Sequence, residues 1–121
     1  MSKRENISSG SPWEEKIGYS RAVRIGNMLE LSGTTAPGET IYDQTKAVIE
    51  LAQKVLKEAG SGLDKVVRTR IFTTDISQWE EIGKAHGEFF GTIKPATTMV
   101  EISKLIDPTI MIEIEFSAVV K

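Results

Sequence analysis

The sequence predicts a two-layer α+β domain, a mixed β-sheet with two helices on one face, in the order β-β-α-β-α-β-β. Three observations predict it. Residues 22–32 hold two apolar runs around Gly26-Asn27. Residues 41–59 and 76–90 carry apolar side chains at three- and four-residue steps. Residues 110–120 alternate apolar and polar almost without a break. The chain has 121 residues, enough for one domain over 1–121 and too few for two, and no internal repeat divides it.

Residues 1–18 read as irregular, because Ser8, Ser9, Gly10, Ser11 and Pro12 favour loop. Trp13 then pins this segment onto the body or onto a neighbouring subunit. The two runs at 22–25 and 28–32 flank a pair of turn residues and read as a β-hairpin. Ala36-Pro37-Gly38 marks a loop. From residue 41 the period becomes helical: Ile41, Thr45, Val48, Ile49, Ala52, Val55, Leu56 and Ala59 share a side, with Asp43, Lys46, Glu50 and Lys54 opposite. Gly60 sits where a left-handed helix cap belongs.

Residues 66–74 are rich in β-branched side chains and read as a strand. Ser77-Gln78-Trp79-Glu80 matches a capping box opening the second helix, with Asp75 as the competing cap. Ile76, Trp79, Ile82, His86, Phe89 and Phe90 line one face of that helix, and Gly91 and Pro95 mark its exit. A short strand follows at 96–103. Asp107-Pro108 separates it from the last, in which Ile110, Ile112, Ile114, Phe116, Ala118 and Val120 share one face while Glu113, Glu115 and Ser117 share the other. One layer of helices leaves the second sheet face open. That face mixes apolar residues with carboxylates, so another subunit is expected to cover it.

Composition removes several function classes. With no cysteine, disulfides, thiolate metal sites and a cysteine nucleophile are excluded. A catalytic triad or a histidine zinc site would rest on His86 alone, which reads better as a structural histidine. Fifteen basic and seventeen acidic residues, a net charge of −2, are scattered without a basic stripe, which counts against nucleic acid as a partner. No run approaches a membrane span, and the polar start lacks the apolar core of a signal peptide, so a cytoplasmic protein is expected. Gly60-Ser61-Gly62 follows a helix and precedes a strand, the reverse of a dinucleotide turn. No pattern points to a metal or a cofactor.

Three segments carry a resemblance. They are the run from Ile17 to Met28 with Leu31-Ser32-Gly33, then Phe72-Thr73-Thr74-Asp75, and then Pro95-Ala96-Thr97-Thr98-Met99-Val100-Glu101 with Ile112-Glu113-Ile114-Glu115. In order and spacing they resemble the RidA/YjgF family of reactive-intermediate deaminases, also described as L-PSP endoribonuclease-like. The resemblance implies a chorismate-mutase-like fold and a homotrimer whose sheets face inward, with small-molecule clefts between adjacent subunits. Active members of the family hydrolyse enamines and imines such as 2-aminoacrylate. An arginine after Pro-Ala clamps the substrate carboxylate there, using the bidentate fork that a guanidinium offers. Here that position is Thr97, which has one hydroxyl and no charge, so the chain resembles an arginine-lacking branch.

By the same resemblance Glu113 is the catalytic candidate that positions an attacking water, and Tyr19, Ser32, Gly33 and Thr97 shape the cleft. Each has a plainer reading: Glu113 as a solvated or ion-paired strand carboxylate, Tyr19 as interface packing, Ser32-Gly33 as a strand-end bulge, Thr97 as a β-former. Arg21, Arg24, Arg68 and Arg70 could restore the missing positive charge or serve the surface. The expected activity is hydrolysis of imines, enamines or related C–N substrates other than 2-aminoacrylate. A non-catalytic trimer that binds a metabolite or a protein, and a ribonuclease, are the rivals.

Overall fold

In a computed structural model, which describes residues 3–121, a six-stranded sheet carries its two long helices on one face. The elements are β1 (Arg4–Ile7), α1 (Pro12–Ile17), β2 (Ala22–Ile25), β3 (Met28–Thr34), α2 (Ile41–Glu58), β4 (Val66–Thr73), α3 (Trp79–Phe90), β5 (Ala96–Glu101) and β6 (Ile112–Val119). The strand order is β1-β2-β3-β6-β4-β5, antiparallel throughout except for the β4–β5 pair. That parallel pair needs a crossover, and α3 supplies it.

The β2–β3 hairpin closes through Gly26-Asn27 with Ile25 opposite Met28, and Gly26 takes a positive φ of 61° at the first turn position, where a tight two-residue loop favours glycine. β6 enters between β3 and β4. Its residues Ile112, Ile114, Phe116 and Ala118 are buried against the helices, with Leu29 and Leu31 of β3 and Ile71 of β4 beside them. α2 closes this core with Ile41, Val48, Ile49, Ala52 and Leu56. Thr40 caps its start by accepting from the Asp43 N–H at 3.1 Å. It ends with Ser61 N–H on Leu56 O and Gly60 N–H on Lys57 O, the two bonds of a Schellman turn, and Gly60 sits at φ 85°.

Three expectations are corrected. The segment before residue 18 is not irregular within the described residues: β1 adds an edge strand on β2, and Ser11 caps α1 with Pro12 in its first turn. Ser77 does not cap the second long helix. Asp75 caps a short 3₁₀ turn, Ile76–Gln78, that runs directly into α3. Trp79 is 57% exposed and Ile76 37%, so the buried face of α3 is narrower than expected and rests on Ile82, Ala85 and Phe90.

The opposite sheet face is open. It presents Met28, Val100, Arg70 and Glu115, the last two paired at 3.9 Å.

Candidate functional site

The site grows from an irregularity in β3. Pairing with β6 runs in register from Met28 to Leu31, shifts, and resumes at Thr34 opposite Ile114. The extra backbone at Ser32 and Gly33 is held from the β2 side. Ser32 N–H donates to Arg21 O at 3.0 Å, its hydroxyl donates to Ser20 O at 2.6 Å, and Arg21 Nη2 donates to Gly33 O at 2.8 Å.

Across this bulge lies Glu113, near the start of β6. A Cβ built on Gly33 would fall on Glu113 Oε2 and stand 2.8 Å from its Cδ. The glycine therefore leaves the room in which the carboxylate rests. Burial pushes the Glu113 carboxyl above its ordinary range, the nearby Glu115 charge adds to this, and Arg21 pulls the other way. Arg21 and Glu113 are not in ion-pair contact.

A cavity of about 740 Å³ opens here. Tyr19, Arg21, Ser32, Gly33 and Glu113 form its polar wall, while Trp13 and Ile17 from α1 and Ile106 from the loop before β6 form an apolar wall. α1 is fixed in place by Glu14, a buried carboxylate that accepts from the Ser8 hydroxyl at 2.9 Å, the Ser9 N–H at 3.2 Å and the Ser9 hydroxyl. The Ser9 hydroxyl bond does most to hold that carboxyl below its usual range. The loop before β6 is fixed by Gln44, buried in α2, which donates to Thr109 O at 2.9 Å and accepts from Met111 N–H at 2.8 Å. A smaller cavity of about 500 Å³, beside Arg4 and Asn6, shares Tyr19 and Ser32 with the first.

Four of the five candidate residues thus meet at one cavity, and Thr97 does not. It sits on β5, two strands from β6, and its side chain turns to the helical layer. There a polar chain runs from His86 Nε2 to Thr69 Oγ1 at 3.0 Å, on to Thr97 Oγ1 at 2.8 Å, and to Pro95 O at 3.1 Å. Pro95 O can only accept, so each hydroxyl donates onward and the neutral His86 carries its proton on Nε2. Burial holds that imidazole below its ordinary range, and its ring lies 4.7 Å from that of Phe90. This is the satisfied structural histidine that its place on the helix predicted.

Of the four candidate arginines, Arg21 alone lines the cavity. Arg24 donates to Gly26 O at 3.0 Å, Arg68 to Thr98 Oγ1 at 3.3 Å, and Arg70 faces Glu115. Sequence reasoning gave Arg21 no more weight than the other three. The missing signal is its register: the Arg21 carbonyl pairs with Ser32, and this carries the guanidinium to the bulge. Ile17 and Ile106 gave no signal of their own. Among the described residues no group of three or more His, Cys, Asp or Glu is placed to hold a metal ion, and no helix is long and apolar enough to cross a membrane.

A family model described as Endoribonuclease L-PSP matches residues 13–120. The chain belongs to this family. Its fold is that of solved YjgF proteins: Rv2704 of Mycobacterium tuberculosis, described as a member of the YjgF/YER057c/UK114 family, superposes with a TM-score of 0.94 at 47% identity, over 97% of this chain and 99% of that one. A RutC family protein of Pyrococcus abyssi is 34% identical over 80% of this chain and 82% of its own length. The mitochondrial protein mmf2 of Schizosaccharomyces pombe is 35% identical over 82% of this chain and 79% of its own. Membership in the YjgF/L-PSP family accounts for the hairpin and C-terminal signatures and for the two-layer fold.

Proposed function

We propose that this YjgF/L-PSP protein binds a small molecule in the Glu113 cavity and hydrolyses a C–N double bond there. The observation that carries the proposal is a half-buried carboxylate with a raised pKa, held over a bare glycine in a cavity that also contains a guanidinium. Such a carboxylate suits general acid–base work near neutral pH. Glu113 takes a proton as water adds to the imine carbon. It passes that proton to nitrogen to give the carbinolamine, then takes the hydroxyl proton and delivers it to the departing nitrogen as the C–N bond breaks, leaving a carbonyl compound and ammonia. Tyr19 and Ser32 supply hydroxyls to orient the substrate.

The working unit in this reading is a homotrimer closed through the open sheet face. The apolar residues that this face leaves exposed, Met28 and Val100 among them, support it. A second subunit is also the only way for Thr97 to approach the same ligand, since within one chain it faces the other layer. With threonine in place of the arginine clamp, 2-aminoacrylate itself is not the expected substrate.

The test is an assay that generates imines and times their hydrolysis against a chemical trap. Wild type should exceed Glu113→Gln by about 10²-fold on its preferred imine. Equal rates would overturn the proposal. For 2-aminoacrylate, little turnover by wild type and a gain on Thr97→Arg are expected.

The cavity's apolar wall also favours a second reading, a binder that leaves its ligand unchanged. A metabolite that raises the melting temperature and is recovered intact after long incubation would favour this reading. Cleavage of RNA, the activity in the family model's description, has less support in this chain. Its net charge is −2 and its arginines are spread over several strands.

A further inference from the structure

Within the reading of the Glu113 cavity as a ligand site, we infer that Arg21 is its anion-recognising residue and that the ligand is a monocarboxylate with an apolar tail. The guanidinium has five N–H donors. Nη2 uses one on Gly33 O. Nε is buried without any acceptor, the only buried side-chain nitrogen or oxygen left so among the described residues. An unmet buried donor is costly, and a ligand oxygen would satisfy it once the side chain turns Nε toward the cavity, since Nε is buried as it stands.

Among the described residues no carboxylate is in ion-pair contact with Arg21, although Glu113 and Glu14 both lie near enough to feel its charge and the Tyr19 ring lies 6.0 Å from the guanidinium carbon. The Glu14 carboxylate is taken up by Ser8 and Ser9. A guanidinium anchored through a backbone carbonyl, with its remaining donors free, fits a planar carboxylate.

The rest of the cavity restricts the ligand further. Glu113 and Asp107 both line it, and they oppose a second negative charge such as a phosphate dianion would bring. Asp107 is already engaged by the Thr109 N–H at 2.8 Å and the Thr109 hydroxyl at 2.7 Å, and Arg21 is the only cation lining the cavity among the described residues. The apolar wall has three large side chains left in solvent: Trp13 at 48% exposure, Ile17 at 59% and Ile106 at 78%. A ligand that reaches from Arg21 across to this wall would cover apolar surface that this chain leaves wet.

The test compares 3-phenylpropionate with its neutral isostere 3-phenylpropionamide and with 2-phenylethylamine, by calorimetry on the full chain. The acid should bind wild type at least tenfold more tightly than the amide or the amine. Arg21→Gln should abolish that preference, and Arg21→Lys should keep part of it. Trp13→Ala should weaken the acid while leaving acetate unchanged. Melting curves and sedimentation must first show each variant folded with wild-type assembly; Arg21→Lys carries the comparison if Arg21→Gln does not fold. No binding of the acid, equal binding of acid and amide, tighter binding of the amine, or an acid preference that survives in Arg21→Gln overturns the inference. Glu113→Gln separates this from failure of the underlying reading. Removing a negative charge from the same cavity should tighten the acid several-fold. A ligand that depends on Arg21 but ignores Glu113 lies outside the cavity, and then it is the cavity reading that fails.

Discussion

The carboxylate of Glu113 occupies the volume that any side chain at Gly33 would need. The glycine is thus part of the site's geometry, although it has no functional group. The atom in the way is the end of a flexible side chain, so a new methyl group would push Glu113 aside with little damage to the sheet. Gly33→Ala should lose about 10²-fold in any activity that depends on Glu113. Its melting temperature should stay within a few degrees of wild type. Kinetics and a melting curve on the same preparation check both halves.

Glu113 itself should act against stability at neutral pH. Its folded-state pKa is raised, first by burial and then by Glu115. A group of this kind favours the folded state below its unfolded pKa, and that contribution is lost as pH rises through the folded value. Glu113→Gln removes the buried charge. The variant should therefore melt higher than wild type near pH 7, with a smaller difference near pH 4, where the carboxyl is largely protonated in both states. Paired melting curves across that range test this. A variant less stable than wild type at neutral pH would contradict the assignment of Glu113 as a desolvated carboxylate.

His86 shifts in the other direction. Burial depresses its pKa in the folded state, so as pH falls below the ordinary histidine value the unfolded chain takes up a proton first. Stability should then fall with decreasing pH, from about pH 6.5 down to the folded value. A Gln at residue 86, which can still donate to Thr69, should remove that slope. Denaturant melts of wild type and His86→Gln, buffered on either side of pH 6.5, make the comparison.

At Gly60 the chain turns through φ 85° to close α2. Alanine at that angle meets its own backbone, and the nearest outside atom, Val120 Cγ1, stands 3.5 Å from the new Cβ. The cost of Gly60→Ala should therefore be mainly conformational, about 1 kcal/mol. Chemical denaturation should show a shifted midpoint with an unchanged slope.

The elements that could be read from the sequence are those whose two faces differ. In β6 the inward Ile112, Ile114, Phe116 and Ala118 alternate with Glu113, Glu115 and Ser117, and α2 repeats its buried positions every three or four residues. β1 has no such contrast: Arg4, Glu5 and Asn6 are all exposed, and the strand is held by backbone pairing to β2. α1 did have signals, with Ser11 before Pro12 and Glu14 three residues after Ser11, but they were hidden by the preceding Ser-Ser-Gly run. At the site, Ser32, Gly33 and Glu113 came from sequence resemblance, and no local pattern gives the contact between Gly33 and Glu113. Arg21 and Ile106 reach the cavity only through strand register and loop path, which a linear reading does not contain.

The central place of β6 bears on how the chain comes to be folded. It is synthesised after every strand it touches, yet it alone joins β1-β2-β3 to β4-β5. Until it emerges from the ribosome, β3 and β4 each expose an unpaired edge and the core lacks its middle strand. Before β6 is available, the two halves cannot join through the sheet and stay open to misassociation with other chains.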